Sequence, residues 1–262
     1  EVQFKSISKD EFETYSTSNA LHERESTNSI HRPTKKSDGK KQLIRIEQCG
    51  FLTTLQDCGR NGYQQFGISK GGAMDTHAAQ LANALLGNKL NDVVLEITQS
   101  PHRFHFLQDA VVAFTGAGLQ PQNGNNSIPL AQPVFVSKDT VIDCKHPVPG
   151  FRLYMAVAGG FAADVFLQSS STDLLAKAGG CEGRPLQKHD VLKTRTTLTT
   201  LQKKMRAVLK AGAALELNSQ LTDYTVQQVR LLQGIEWNEL DNVSKTAVEK
   251  SSFSISVQSS RM

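Results

Sequence analysis

From Gln42 onward the apolar residues fall in short runs broken by Gly, Pro, Asn or charged positions. Leu43–Glu47 and Leu52–Gln56 read as successive strands separated by Gly50. Further strands are predicted over Val93–Ile97, Arg103–Leu107, Ala110–Thr115, Pro133–Val136, Val141–Cys144 and Phe151–Val157. One stretch departs from this texture. Ala78, Leu81, Ala82, Leu85 and Leu86 recur at helical spacing, with Asp75 placed as N-cap and Gly87-Asn88 as the stop. His77, on the first turn of that helix, is expected to face solvent. Short strands at this spacing with turn residues between them argue for a β-barrel or sandwich-like body, not a doubly wound sheet.

The two ends read differently. Val2–Ile7 alternates as a half-buried strand does, and Ser8 with Glu11 offers a capping box for a following helix. Residues 16–41 are Ser, Thr, Asn, Lys and His with almost no large apolar side chain, which predicts a linker unable to bury enough surface to order itself. After about Thr200 a last unit is expected: a strand over Val226–Leu232, a short helix between Trp237 and Lys250, and alternation again over Ser254–Val257. A chain that begins at Glu1 and stops in mid-element is expected to be a piece of a longer protein.

Composition narrows the function classes. The 262 residues carry 29 Lys+Arg against 25 Asp+Glu, a net charge of +4 spread along the chain. Nucleic-acid binders cluster their basic residues, so Lys35–Lys41 reads as solvated linker. No apolar run is long enough to span a bilayer. The four cysteines form no C-x-x-C pair, which argues against zinc and for reduced thiols in the cytoplasm. His102 and His105 lie three apart, on opposite faces of a strand, a poor metal pair.

No nucleophile elbow, P-loop or zinc-protease motif occurs. The chemistry-bearing features are polar turns. Asp57 and Arg60 flank Gly59. Gly71–Asp75 leads backbone N–H groups into a helix N-terminus. Gln168–Asp173 gathers hydroxyls beside a carboxylate, and Gly179–Arg184 pairs flexible backbone with a cation. Guanidinium groups among free N–H groups suit a carboxylate, carboxyphosphate or phosphate. Taken singly, each turn is better explained as glycines making bends that Asp–Arg pairs staple.

The order of the motifs adds to this. Gly50–Arg60 precedes Gly67-Ile68-Ser69 and Gly71–Asp75; Leu81–Asn88, Leu95-Glu96 and Thr115–Ala117 follow, and then Arg152–Gly160, Ser171–Asp173 and Gly183–Leu186. The series resembles the KipA family, also called the biotin-dependent carboxyltransferase family, over roughly Gln42 to Met262. That family includes the C component of 5-oxoprolinase, the second-subunit domain of allophanate hydrolase and the carboxyltransferase region of urea carboxylase. Residues 1–15 resemble, more weakly, the C-terminal edge of its KipI-like partner, the B component, which implies a B–C fusion joined by the 16–41 linker. The sequence also departs from the family pattern. Gln168 and Ser170 stand where the family has Gly and Arg, Gly118 where it has Asp, His189 where it has Gly, and Ser260 where it has Asp.

The resemblance implies a mainly β fold with a few helices, built on cyclophilin-like β-barrel modules. It also implies the C component of an ATP-dependent 5-oxoprolinase working with a KipI-like B component and a LamB/YcsF-like A component. A lactam is a poor electrophile, and phosphorylation of its carbonyl oxygen by ATP would activate it toward water. Two other readings stand beside this one. In the first, a carboxyltransferase moves CO₂ from carboxybiotin to urea or a related amide, with biotin as its cofactor. In the second, a non-enzymatic partner antagonises a KipI-like kinase inhibitor. By residue type, Asp57, Asp75 and Glu96 are the candidate catalytic groups. Candidate anion-binding groups are Arg60, Arg152 and Arg184, with Gly72, Asn83, Ser171 and Thr172 from the same turns, expected to converge on one electropositive hollow. No metal is expected.

Overall fold

A computed structural model describes residues 3–6, 41–99, 101–215 and 228–252. Contacts divide the chain into two units, residues 1–31 with 225–260, and residues 32–224 with 261–262. In the smaller, β1 (Gln3–Ser6) runs parallel to β13 (Gln228–Leu231), with Phe4 opposite Val229. A helix, α3 (Asn242–Lys250), begins at Asp241, whose carboxylate accepts from the Ser244 N–H at 2.7 Å. The helix start expected at Ser8, the linker before Lys41 and the strand expected at Ser254–Val257 lie outside the described residues.

The larger unit is mainly β. Its six-stranded sheet contains β2 (Gln42–Gln48), β5 (His102–Phe106), β7 (Leu119–Asn123), β8 (Asn126–Ser127), β10 (Val141–Pro147) and β12 (Val191–Lys193) in the order β12-β2-β5-β10-β7-β8. Its five-stranded sheet contains β3 (Leu52–Gln56), β4 (Val94–Thr98), β6 (Ala110–Gly116), β9 (Pro133–Val136) and β11 (Arg152–Val157) in the order β3-β4-β11-β6-β9. All the pairings within both sheets are antiparallel. Ile44, Ile46, Phe104, Phe106 and Ile142 of the first sheet share a core with Leu95, Ile97, Phe114, Leu153 and Met155 of the second. Among the described residues the body is two open sheets over one apolar layer, with no closed cylinder.

The opposite face of the five-stranded sheet is covered by α1 (Thr76–Leu85). Its buried side is mostly alanine (Ala78, Ala79, Ala82) with Leu85, so the helix lies close on Val94, Val111, Ala113, Tyr154 and Ala156. Asp75 caps it by accepting from the Ala78 N–H at 2.9 Å, and His77 is exposed, both as expected. The pattern did not reveal β7, β12 or α2 (Thr200–Lys210). The signal for α2 was present: Thr199 and Gln202 form a reciprocal capping box. Gln202 also donates to the Leu86 carbonyl at 3.1 Å, satisfying the end of α1.

His102 and His105 do take opposite faces, His102 wholly buried and His105 on the outer side. The His102 Nδ1 accepts from the Gly50 N–H at 3.1 Å, while Nε2 meets the Gln99 carbonyl, which fixes the neutral Nε2–H tautomer. Burial lowers its pKa, outweighing the pull of its backbone partners at Gln99 and Thr98. A depressed histidine stabilises the fold fully above its unfolded value of 6.5 and loses that contribution as pH falls. Urea midpoints are therefore expected to drop between pH 7.5 and 5.5, and to drop less in His102→Gln; equal slopes would remove His102 as the cause.

Candidate functional site

Antiparallel register places Thr54, Glu96, Tyr154 and Thr115 side by side across β3, β4, β11 and β6. All four are buried. They face α1 instead of the shared core, because Glu96 alternates with Leu95 and Ile97 and Tyr154 with Leu153 and Met155. The Glu96 carboxylate is 1% exposed and needs donors. Its Oε2 accepts from the Met74 N–H at 2.8 Å and the Tyr154 hydroxyl at 2.9 Å. The Tyr154 hydroxyl in turn accepts from the Asp75 N–H at 2.8 Å. Burial and the neighbouring carboxylates of Glu96 and Asp75 push this phenol well up, so it stays a protonated donor. Thr115 completes the row by donating to the Ala78 carbonyl at 2.7 Å.

Arg152 lies at the end of this array, two rungs along and opposite Thr98, on the same face as Tyr154. Its Nε is 3.5 Å from Glu96 Oε1, and its guanidinium lies over the Phe151 ring, 5.1 Å from the centroid. The side chain is 22% exposed, and its buried Nε has no hydrogen-bond partner, so Glu96 holds it from behind as an ion pair alone. Phe151 and Phe51, exposed by 48% and 74%, sit at the same end of the sheet. The turn below is closed tightly. Gly118 has φ of +90°, and a Cβ there would lie 2.8 Å from the Phe151 backbone. The family's aspartate has no room in this form of the turn.

A second group forms around Asp57. Its carboxylate accepts from the hydroxyls of Ser169 and Ser171 at 2.7 and 2.6 Å, and from the N–H groups of Ser170 and Gly59 at 2.6 and 2.8 Å. Thr172 docks on the end of β3, its N–H and hydroxyl both donating to the Leu55 carbonyl at 2.9 Å. Arg60 is among the largest fully buried side chains. It donates to the carbonyls of Phe166 and Ser171, lies over the Phe166 ring, and sits 3.7 Å from Asp173. Gly179 is required beside it, since a Cβ would lie 2.9 Å from Arg60 Nη2. Burial lowers the Arg60 pKa against the pull of Asp173 and Asp57. Burial raises that of Asp173, but the Ala176 and Leu175 N–H groups, the Ser69 hydroxyl and Arg60 more than reverse it.

The expected convergence is thus only partly realised. The turns bearing Asp57, Arg60, Ser171 and Thr172 meet, but they enclose a packed polar core in place of an electropositive hollow. The reason is that serines and backbone groups take up the Asp57 carboxylate and most of the Arg60 guanidinium, leaving Nη1 buried with only the 3.7 Å ion pair to Asp173. Glu96, Arg152 and Asp75 meet separately, under the start of α1. Arg184 stands apart, held by Asp190 through two bonds of 2.7 and 3.0 Å, with the Asp190 bond raising its pKa. Asn83 is buried and donates to the Asp92 carbonyl at 2.6 Å, tying α1 to the turn before β4. Gly72 packs its backbone against Cys58-Gly59. Sequence reasoning missed Tyr154, since Tyr154 and Glu96 are 58 residues apart and only register joins them; it singled out the turn bearing Ser169 and Asp173 but not their pairing with Asp57 and Arg60.

Two other chemistries find no support among the described residues. The four cysteines are free thiols. Burial raises Cys49 to about 11 and raises the other three as well, leaving little thiolate near neutrality. No cluster of His, Cys, Asp or Glu has metal-ligand geometry.

The Asp57 group generates a stability prediction. Asp57→Ala strands two buried serine hydroxyls and two N–H groups and should cost about 2–4 kcal/mol. A change under about 0.5 kcal/mol in urea unfolding would show that the cluster does not hold the turns. A second concerns two departures from the family pattern. Gln168 and His189 have φ of +63° and +78°, left-handed positions that favour the glycine the family uses. Gln168→Gly is expected to raise stability by about 1 kcal/mol, read as a higher urea midpoint at unchanged slope.

The comparisons with known proteins agree with this architecture. A family model described as "Carboxyltransferase domain, subdomain A and B" matches residues 66–262. The chain is 34% identical to the C component of 5-oxoprolinase from Escherichia coli K12 over 220 residues, 84% of this chain and 67% of that protein. It is 33% identical to the urea amidolyase of Saccharomyces cerevisiae over 57% of this chain and 8% of that one. The crystal structure of TTHA0988 aligns with a TM-score of 0.56 at 30% identity, over 60% of this chain and 58% of that chain. The chain spans about two thirds of the first relative and smaller shares of the others. On these matches the chain belongs to the carboxyltransferase family of subdomains A and B.

Proposed function

We propose that this chain serves as the C component of an ATP-dependent 5-oxoprolinase, opening the lactam to glutamate with A and B partners. The observation that carries the reading is Arg152. A guanidinium backed by a buried carboxylate and stacked on an exposed phenylalanine is pre-positioned to take a planar, anionic substrate. The carboxylate of 5-oxoproline suits its terminal nitrogens, and the flat ring suits Phe151 and Phe51. Glu96, Tyr154 and Asp75 act behind it, holding the cation in one orientation while the substrate is activated. The likeness to the C component of the E. coli enzyme supports the same assignment.

ATP supplies the phosphoryl group that activates the lactam carbonyl. Among the described residues no triphosphate cradle forms, because Arg60 is enclosed with Asp57 and Asp173, and Arg184 is neutralised by Asp190. We therefore assign ATP to the partners, the KipI-like B and LamB/YcsF-like A components, and the substrate's anionic group to Arg152. The urea amidolyase match favours a second reading, in which the same cation receives the anionic end of a carboxyl-transfer substrate delivered by biotin.

Reconstitution separates the two. The full chain with its A and B partners should release glutamate and phosphate from 5-oxoproline and ATP without bicarbonate. Arg152→Ala should lower kcat/KM by about 100-fold or more, with Arg152→Lys only partly restoring it. An assembly silent on 5-oxoproline yet active on urea with carboxybiotin would replace this reading by the second. Unchanged turnover in Arg152→Ala would remove Arg152 from the site.

A further inference from the structure

We infer that the outer face of the six-stranded sheet carries a second site, for a small zwitterionic amino acid, in a groove lined by Glu47, Gln48, Arg103 and Lys188. The groove measures about 470 Å³ and lies on the other sheet from the Glu96–Arg152 array. Its size falls in the range of small-molecule sites. Three separate segments build it. The pairing of β2 with β5 shifts between Ile46 and Gln48, so Glu47 is the extra residue of a bulge facing Arg103. Bulges re-aim side chains, and this one turns both Glu47 and Gln48 toward the groove. Lys188 is brought there by the turn at His189, whose N–H donates to the Ile46 carbonyl at 2.7 Å. The Ile46 N–H returns a bond of 2.9 Å to the Asp190 carbonyl. The left-handed His189 backbone makes that reversal.

The charges left over define the ligand. Arg103 uses Nε and Nη2 on Asp143, at 2.7 and 3.2 Å, which leaves its Nη1 edge for another acceptor. Among the described residues exposed Lys188 has no ion pair or hydrogen bond, so its ammonium is available to a ligand. Glu47 meets Arg45 and His105 through Oε1 alone, at 3.9 and 3.5 Å, leaving Oε2. A carboxylate fits between Lys188 and Arg103, and an ammonium fits against Glu47 with the Gln48 amide beside it. A phosphate would be repelled by Glu47 and Asp143, and a metal cation by Lys188 and Arg103. A carboxylate and an ammonium on one carbon satisfy both halves. This inference does not depend on the reaction proposed above.

Glycine is the minimal probe. Titrated into the labelled full chain, it is expected to give saturable amide shifts at Gln48, Arg103 and Lys188, with a Kd on the order of 1–10 mM. Acetate and methylammonium, each carrying one charge, should bind about tenfold or more weakly than glycine. Lys188→Ala removes an exposed side chain, keeps the fold, and should weaken glycine about tenfold, as should Glu47→Gln. Acetate binding as tightly as glycine would reduce the site to a plain anion contact and overturn the inference. So would an absence of saturation, shifts confined to other residues, or an unaltered Kd in Lys188→Ala.

Discussion

A carboxylate at the centre of a sheet must be met by donors or the fold loses several kcal/mol. Glu96 imposes that demand here, and much of the larger unit is arranged to answer it. The Gly71–Asp75 turn comes down so that the Met74 N–H reaches one oxygen. Tyr154 keeps its proton and turns its hydroxyl to the same oxygen. Arg152 approaches the other oxygen from the sheet's end. One buried charge therefore fixes where α1 begins, how it lies on the sheet, and where the half-buried Arg152 is held. The polar row under α1 is costly by itself and stable only as a connected set.

The three candidate arginines show how one residue type divides into separate roles. Arg60 is structural: carbonyls, a ring and Asp173 surround it, and it cements the segments around Asp57. Arg184 braces a turn against Asp190. Arg152 alone of the three is anchored from behind and open in front, the state in which a guanidinium recognises an anion. Charge and residue type are identical in all three; burial and the number of internal acceptors separate them.

The departures from the family pattern also acquire physical meaning. Gln168 and His189 replace glycine at left-handed positions, so backbone strain, and not lost chemistry, is their first consequence. Gly118 replaces aspartate where the turn now closes on Phe151, beside the half-buried Arg152. Ser170 replaces arginine where its N–H still serves Asp57. The first two changes leave the Glu96–Arg152 array alone, whereas the third alters the rim around it.

Much of the fold was legible in local pattern. Alternation and turn residues marked most strands of the two sheets, and the spacing of Ala78, Leu81, Ala82 and Leu85 with the Asp75 cap marked α1, because these signals act over a few residues. Turn chemistry also named Asp57 as chemistry-bearing, while Glu96 and Arg152 came from the order of the motifs and from residue type. Local pattern could not say which of them would meet. Tyr154 joins Glu96 through strand register, and Arg60 meets Ser171 across 111 residues of chain. The same register and the bulge at Glu47 decided which cations stay open and which are consumed inside. Exposure and pairing are properties of the folded neighbourhood, set by segments distant in the chain, so no window of sequence contains them.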